Sequence, residues 1–236
     1  MNVLALYDIH ANVDALEAVL RDAPEADLVL VGGDAVPGAF AVATLDRLAQ
    51  LETKWVRGNG EREVAAAVDG PEPAADDPAG VTAKLSADEL GPERSRPLGE
   101  LPLTLEIDGV LYCHATPRSD EEILTRLSTP ERYADALSGV TTGIVVAGHT
   151  HQQDDRTVGA IRFLNAGSVG MPYEGDGAAR WLWVADGVPE LRSTAYDAVA
   201  AGRRILESWP DARSINASLI DPVPAHEITE FFESRT

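Results

Sequence analysis

Short apolar runs alternate with amphipathic segments along residues 1–57, and this alternation constrains the fold more than any other feature. The runs predicted to be strands lie at 2–7, 27–31 and 54–57. The segments predicted to be helices, in which apolar residues recur at helical spacing, run from Asn12 to Pro24 and over 39–52. A β-α-β-α-β order predicts a parallel sheet with right-handed crossovers.

From residue 103 the pattern becomes rich in strands. Asp108-Gly109 stands between two apolar runs and is a strong signal for a β-hairpin. The strands predicted here lie at 103–107, 110–113, 143–147, 153–158, 160–164, 180–185 and 190–195. The helices predicted here lie at about 120–138, broken near Pro130, at 197–208 and at about 224–234. This order fits a single α/β domain over residues 1–236, with two sheets face to face and helices outside each sheet.

The stretch at 69–100 differs from its surroundings. Residues 69–81 contain Pro71, Pro73 and Pro78 among glycine and aspartate, and this composition disfavours both a helix and a central strand. We predict a surface excursion here, either a lid or a mobile loop. One or two short helices are expected within 82–100, with Ser86 as a helix cap.

Charge and cysteine content narrow the function. The chain carries 19 basic against 39 acidic residues, a net charge of −20, which argues against a large nucleic-acid footprint. Its one cysteine excludes an intramolecular disulfide. No apolar run approaches the roughly 20 residues needed to cross a bilayer, and no basic leader segment precedes the first strand. We therefore expect a cytoplasmic protein without a membrane segment.

Polar residues follow the ends of the predicted strands. In open α/β sheets, ligand sites lie beyond the carboxyl ends of the strands, so these side chains are expected to converge. Four of the five histidines of the chain are among them. The candidate ligands are Asp8, His10, Asp34, Asn59, His114, His149 and His151.

This set of donors indicates the chemistry. Carboxylate oxygen and imidazole nitrogen suit Mn²⁺, Fe, Ni²⁺ or Zn²⁺, and the lack of thiolate argues against a structural zinc site. His149 and His151 are one residue apart and serve two neighbouring ions more easily than one. One carboxylate can bridge ions about 3.5–4 Å apart. With a hydroxide and two carboxylates, such a pair carries a net charge of about +1 and attracts a phosphoester. We predict a two-metal hydrolase in which metal-bound hydroxide attacks phosphorus.

Five sequence blocks resemble the motifs of the calcineurin-like metallophosphoesterase superfamily. They are Asp8-Ile9-His10, Gly33-Asp34, Gly58-Asn59, His114 and Gly148-His149-Thr150-His151. Asn165–Gly170 is similar to a block of the small prokaryotic phosphodiesterase branch. The resemblance implies a four-layer α/β/β/α sandwich. It also implies one metal held by Asp8, His10, Asp34 and His151, and a second held by Asp34, Asn59, His114 and His149, with Asp34 as the bridge.

Individual roles follow from this resemblance and from position. We expect Asp34, His114 and His149 to be catalytic, and Asn59 and Arg118 to contact the substrate. Arg118 lies just past the His114 block and could bind phosphate with two hydrogen bonds. Other nearby residues have more ordinary expectations: Asn12 as a helix cap, Glu61 as a first-turn acid or a support for the site, Arg57 and Arg62 in surface salt bridges, and Gly167–Gly170 as a phosphate cradle or a tight turn.

One departure from the family pattern leaves the function open. Gly60 stands where the family commonly has a histidine that helps to protonate the leaving group. General-acid help is typically worth about 10²–10⁴-fold, so esters with poor leaving groups should be cleaved slowly unless another group substitutes. Relatives with a residue other than histidine at this place tend toward phosphodiesterase activity, so the resemblance favours small phosphodiesters, with phosphomonoesters also possible substrates. The alternatives are a catalytically weak, metal-binding module that binds nucleotides or acts as a scaffold, and a nuclease, which the net charge argues against.

Overall fold

The structure is a computed structural model and describes residues 1–209 and 218–236. Its strands are β1 (Val3–Leu6), β2 (Leu28–Val31), β3 (Thr53–Trp55), β4 (Thr104–Ile107), β5 (Val110–Cys113), β6 (Ile144–Ala147), β7 (Asp154–Val158), β8 (Ile161–Asn165), β9 (Ala179–Ala185) and β10 (Val188–Thr194). Its helices are α1 (Val13–Asp22), α2 (Ala41–Leu48), α3 (Asn59–Ala67), α4 (Pro78–Leu90), α5 (Pro92–Ser95), a 3-10 turn (Arg96–Glu100), α6 (Pro130–Ala136), α7 (Ala198–Ser208) and α8 (Ala225–Glu233).

The strands described form two mixed sheets of five strands each. The first has the order β10-β9-β1-β2-β3, in which β1, β2 and β3 run parallel and β9 runs antiparallel to β1. The second has the order β4-β5-β6-β8-β7, in which β5, β6 and β8 run parallel. The parallel strands end at the same edge of each sheet, which brings the residues that follow them together.

The side chains of β1 alternate between the two faces of the first sheet, and this shows how the layers pack. Val3 and Ala5 face the second sheet, where they join Tyr112 and Val146 in one buried cluster. Leu4 and Leu6 face the other way, into a cluster with residues of α1, α2 and α4. On the far side of the second sheet, residues of β6 pack against α6. The predicted α/β/β/α sandwich is therefore confirmed.

The hairpin predicted at Asp108-Gly109 is confirmed. Both residues have a left-handed backbone, with φ of +50° and +79°. This is the conformation of the two-residue turns that match the twist of antiparallel strands, and glycine and aspartate tolerate it well. β4 and β5 pair antiparallel across it, from Ile107 with Val110 outward.

Prolines read as helix breakers turn out to begin helices. α4 begins at Pro78, where Asp77 accepts a hydrogen bond from the Gly80 amide. The short helices expected within 82–100 are present, but the first of them begins earlier, at Pro78, so the surface excursion expected over 69–81 is shorter than predicted. Ala83, Ala87 and Leu90 of α4 are buried in the core. Proline suits the first helical turn, since its missing N–H has no partner there in any case.

Two smaller predictions are corrected, because α4 and α6 both begin at a proline. The helix expected over 120–138 is limited to α6, which begins at Pro130 after the cap Thr129. Ser86 is not a cap but lies in the middle of α4, where its hydroxyl accepts a hydrogen bond from the Gly38 amide. Among the residues that the structure describes, no helix combines the length and apolar character that crossing a bilayer requires.

Candidate metal centre

Five of the seven candidate ligands have a left-handed backbone, which is costly for residues other than glycine. Their φ angles are +53° for Asp8, +47° for His10, +53° for Asp34, +69° for His149 and +58° for His151. Such conformations persist only where surrounding contacts determine them, and they cluster at functional sites. Here the contacts are backbone hydrogen bonds between neighbouring loops, such as Asp8 N–H to Gly33 C=O and His10 N–H to Asp34 C=O.

Asp8, His10 and His151 form the first tight group. Asp8 Oδ1 lies 3.3 Å from His151 Nε2 and 3.9 Å from His10 Nε2. The Nε2 atoms of His10 and His151 point at each other across 3.1 Å. Two unprotonated nitrogens at this distance repel unless a proton or a metal ion lies between them. The group therefore has the donors of a cation site.

Asp8, Asp34 and His114 form the second tight group. His114 Nε2 lies 3.6 Å from Asp34 Oδ1 and 3.8 Å from Asp8 Oδ1. The other oxygen of Asp34, Oδ2, lies 4.0 Å from His10 Nε2. The Asp34 carboxylate thus faces both groups, as a bridging ligand would, while Asp8 is a member of both.

His149 and Asn59 adjoin these groups without belonging to either. The His149 ring packs edge-on against His114, with centroids 5.1 Å apart, and its backbone N–H donates to Asp8 Oδ2. Asn59 is the first residue of α3, and its Nδ2 donates to Glu63 Oε1. This bond turns Asn59 Oδ1 away from Glu63.

Three buried atoms of the candidate ligands have no hydrogen-bond partner among the residues described. They are Asp8 Oδ1, Asn59 Oδ1 and His114 Nε2. Burying polar atoms without partners costs about 1–3 kcal/mol each, so native proteins avoid it. An ion is one explanation for such atoms. Since all three are oxygen or imidazole nitrogen, the residues present fit the divalent ions proposed from the sequence.

Hydrogen bonds from the far side of two rings aim the histidines inward. His114 Nδ1 lies 3.0 Å from Gly32 C=O, and His151 Nδ1 lies 2.8 Å from Met171 C=O. A carbonyl accepts, so each Nδ1 carries the proton and each Nε2 presents its lone pair to the centre. This is the usual arrangement behind metal-bound histidines.

Glu61 holds the loop of Asp34 in place. Its fully buried carboxylate accepts hydrogen bonds from the amides of Asp34 at 2.7 Å, Ala35 at 2.8 Å and Gly58 at 3.0 Å. It is also the third residue of α3, so both sequence expectations for it hold. A carboxylate is well suited to three converging N–H groups, because it accepts only.

Gly60 is constrained by its surroundings. Its amide donates to Asp34 Oδ1 at 2.7 Å. A Cβ at this position would lie 2.3 Å from Pro37 Cγ and 2.8 Å from Asp34 Oδ1. The histidine that the family commonly has here therefore does not fit unless Pro37 moves.

The segment Gly167–Gly170 supports the Asp8 loop instead of cradling a phosphate. Three of its amides are bonded: Gly167 N–H to Asn165 Oδ1, Val169 N–H to Tyr7 C=O and Gly170 N–H to Asp8 C=O. Ser168 Oγ donates to Asp8 C=O at 2.7 Å. Of the two expectations for this segment, the tight turn is the one observed.

The arginines expected near the site form ion pairs. Arg118 is bonded to Glu122 and Asp135 on the exposed surface, and the structure does not bring it together with the candidate ligands. Its predicted contact with substrate is not supported, because two carboxylates already occupy its guanidinium. Arg57 and Arg62 both pair with Asp120, which is largely buried.

One other sequence-based expectation is met, and some residues were missed. Asn12 caps α1, where its side chain accepts from the Ala15 amide. The missed residues include Glu63, which lies four residues after Asn59 on α3 and so shares its face. Asp120, Gln152 and Tyr173 were also missed, and no local pattern marks them.

Burial and charge set the protonation of the centre. Burial, strengthened by the other histidines, lowers the pKa of His10 and of His149 to about 3. Burial raises the pKa of Asp34 to about 7. The His114 ring opposes this rise, and the charges of Glu61 and Asp8 add to it. Burial would raise the pKa of Asp8 too, but His151 and His114 outweigh it and lower that pKa. For His114, the carboxylates of Asp34 and Asp8 outweigh burial and raise the pKa.

We expect metal binding to weaken as the pH falls below 7. His10 and His149, with pKa values of about 3, are already neutral. Asp34, with a pKa of about 7, must lose its proton to serve as a ligand. Each displaced proton costs about tenfold in affinity per pH unit below the pKa. Calorimetric Mn²⁺ titrations at pH 6, 7 and 8, in buffers of different ionisation enthalpy, should show proton release on binding that is largest at pH 6 and falls as the pH rises. Affinity independent of pH would contradict this.

Fold and site together define a metal-dependent phosphoesterase, a hydrolase. Residues 1–184 match the family model described as the calcineurin-like phosphoesterase superfamily domain, and the chain belongs to that family. Members depend on divalent metals, and this chain has the candidate ligands.

Solved structures share the fold over nearly the whole chain. A metallophosphoesterase from Sphaerobacter thermophilus is 22% identical, with a TM-score of 0.77 over 94% of this chain and 99% of that one. A hypothetical protein from Pyrococcus horikoshii OT3 is 19% identical, with a TM-score of 0.76 over 95% of this chain and 99% of that one. No curated protein matches the chain. At these identities the likeness concerns the fold alone.

Proposed function

We propose that the protein is a binuclear phosphoesterase that hydrolyses small phosphodiesters, and phosphomonoesters more slowly. The observation that carries this proposal is the trio of buried atoms without partners: Asp8 Oδ1, Asn59 Oδ1 and His114 Nε2. Asp8 Oδ1 and His114 Nε2 belong to the second tight group, whereas the facing Nε2 atoms of His10 and His151 belong to the first. One cation in the second group would leave those facing nitrogens unexplained.

The ligand assignment divides the centre between two ions. Asp8, His10, Asp34 and His151 would hold the first, and Asp34, Asn59, His114 and His149 the second. Such a pair of ions supplies Lewis acidity and an activated water near neutral pH. Mn²⁺ is proposed first, with Fe, Ni²⁺ or Zn²⁺ as alternatives, because every donor is oxygen or imidazole nitrogen. The one thiol of the chain, that of Cys113, donates to Val146 C=O of the neighbouring strand β6.

Hydrogen bonds and burial hold the candidate ligands in the protonation states and orientations that metal binding requires. His10 and His149 are neutral at working pH, so their lone pairs are available as ligands. His114 and His151 are held by carbonyls in the tautomer that points Nε2 inward. Glu61 and Gly60 hold Asp34 through its backbone and its Oδ1. This pre-organisation avoids rearrangement when charge develops on the substrate.

The substrate class follows from what the site lacks and from the surface charge. Gly60 provides no imidazole for the leaving group, so esters with good leaving groups should be preferred. A net charge of −20 disfavours long nucleic acids, which need several Lys and Arg contacts to phosphate. We therefore propose small phosphodiesters as substrates. We propose the cytoplasm as location, since the single cysteine requires no oxidising compartment.

A metal panel on metal-free protein tests the function. With Mn²⁺, we expect hydrolysis of bis-p-nitrophenyl phosphate, faster than that of p-nitrophenyl phosphate. Diesters with an alkyl leaving group should react at least about 10²-fold more slowly, since general-acid help is absent. Metal content at full activity should approach two ions per chain. No activity with Mn²⁺, Fe, Ni²⁺ or Zn²⁺ on either class of ester would contradict the proposal.

The second candidate is a metal-binding module that binds nucleotides with little turnover, or a scaffold. Gly60 is the observation that favours it, because metals can persist where leaving-group protonation is lost. Tight nucleotide binding by the Mn²⁺-loaded protein, without hydrolysis of any ester in the panel, would select this candidate. A nuclease would instead be recognised by cleavage of single- or double-stranded DNA.

A further inference from the structure

Gln152, the residue directly after His151, links the candidate centre to the C-terminal helix. Its side chain is 3% exposed. Its Nε2 donates to Tyr173 C=O at 3.0 Å and to Ala225 C=O at 2.7 Å, and its Oε1 accepts from Thr229 Oγ1 at 2.7 Å. A buried amide is satisfied only when all such partners are in place. Helix α8 supplies two of the three.

A second set of contacts joins the same elements through Tyr173. Its backbone N–H donates to His151 C=O at 3.2 Å. Its ring stacks on the His151 ring, with centroids 4.7 Å apart and planes at 20°. Phe232 of α8 also packs against the Tyr173 ring, with centroids 6.1 Å apart. His151 is therefore held through its backbone, through its ring face and through the bond of Nδ1 to Met171 C=O.

The far end of α8 is anchored as well. Glu233 accepts hydrogen bonds from Ser128 Oγ at 2.9 Å and from Arg132 Nη1 at 2.6 Å. Within the helix, the one buried residue is Thr229, and its hydroxyl is bonded to Gln152. A helix that docks through a buried polar contact has a defined register. The arrangement thus positions α8 more than it adds to the core.

We propose that α8 is a positioning element for His151, acting through Gln152 and Tyr173. The helix lies beyond residue 184, outside the part of the chain that matches the family. His151 needs such support, because its φ of +58° is unfavourable and its Nε2 must stay 3.3 Å from Asp8 Oδ1. Loss of supporting contacts behind a metal ligand typically costs 10–100-fold in metal affinity. The proposal rests on the proposed two-metal function.

Metal titrations of three variants test the proposal. In Gln152→Leu and Thr229→Val, which keep the shape but remove the polar atoms, we expect one of the two Mn²⁺ sites to weaken about 10–100-fold while the other is unchanged. Thr229→Ser keeps the hydroxyl and should bind both ions as the wild type does. The electron paramagnetic resonance signal of a coupled Mn²⁺ pair should require correspondingly more Mn²⁺ in the first two variants. Wild-type affinity at both sites, or equal weakening of both, would overturn the proposal.

Hydrogen exchange on the metal-free protein separates this proposal from the proposed function. We expect faster exchange of the Tyr173 and Gln153 amides in Gln152→Leu and Thr229→Val. The amides of Asp8 and His10 bond to the neighbouring loop and should be unchanged. Unchanged exchange at Tyr173 would overturn the role of α8. Wild-type protein that binds none of Mn²⁺, Fe, Ni²⁺ and Zn²⁺ would instead overturn the proposed function, so the two failures are distinguishable.

Discussion

Replacing Asp34 with asparagine is expected to lower Mn²⁺-dependent hydrolysis of bis-p-nitrophenyl phosphate by about 10³-fold or more. Asp34 faces both tight groups, with Oδ1 3.6 Å from His114 Nε2 and Oδ2 4.0 Å from His10 Nε2. An amide removes one negative charge and one ligand oxygen from between two cations. A loss of about 4 kcal/mol of transition-state stabilisation corresponds to this factor. The measurement is kcat/KM at saturating Mn²⁺, together with bound metal per chain.

The fold should survive this change, which separates loss of chemistry from loss of structure. Burial raises the pKa of Asp34 to about 7, so above that pH the metal-free folded protein bears the full cost of a buried carboxylate charge. The folded-state pKa lies above the unfolded value, so Asp34 contributes less stability as the pH rises toward 7. Metal-free Asp34→Asn should therefore melt at or above the wild-type temperature at pH 8.

The matched control is Asp155→Asn. Asp155 lies on β7, an edge strand of the second sheet, and pairs with Arg162 at the surface. Its replacement should leave kcat/KM and metal content within about twofold, since exposed ion pairs contribute about 0–1 kcal/mol. Asp34→Asn protein with activity within tenfold of the wild type would contradict the bridging role.

Replacing Glu61 with alanine is expected to lower the free energy of unfolding of the metal-free protein by about 3–5 kcal/mol. The amides of Asp34, Ala35 and Gly58 would lose their shared acceptor in a fully buried place. Each unsatisfied buried group costs about 1–3 kcal/mol. Urea unfolding should show a lower midpoint at an unchanged slope. Mn²⁺ affinity should fall as well, because the Asp34 loop loses the carboxylate that accepts its backbone hydrogen bonds.

Two further variants show whether the buried acceptor is the cause. Glu61→Gln keeps the volume but turns an NH₂ group toward one or two of the three amides, so it should lose an intermediate amount. Glu131→Ala removes an exposed acid from the first turn of α6 and should cost less than about 0.5 kcal/mol. A Glu61→Ala midpoint equal to that of Glu131→Ala would contradict the role assigned to Glu61.

The sequence by itself determined the layers and the ligand types. Apolar residues that recur every second residue or every 3.6 residues specify which segments form strands and which form helices. The alternation of strands and helices along the chain specifies the parallel sheets. Residues that follow parallel strands converge because those strands end at one edge. This is why Asp8, Asp34 and His114, although far apart in the chain, lie within one group in the structure. The hairpin at Asp108-Gly109 was predictable for a similar reason, because a two-residue turn depends only on local backbone preference.

Only the tertiary structure decided which side chains are free and which are engaged. Arg118 is close to the His114 block in sequence, but Glu122 and Asp135 hold it at the surface. Pro37 closes the space above Gly60, and no local pattern reveals such a contact. Gln152 meets Thr229 across 77 positions of the chain. Such contacts depend on how separate elements pack, and packing is set by the whole fold and not by any one segment.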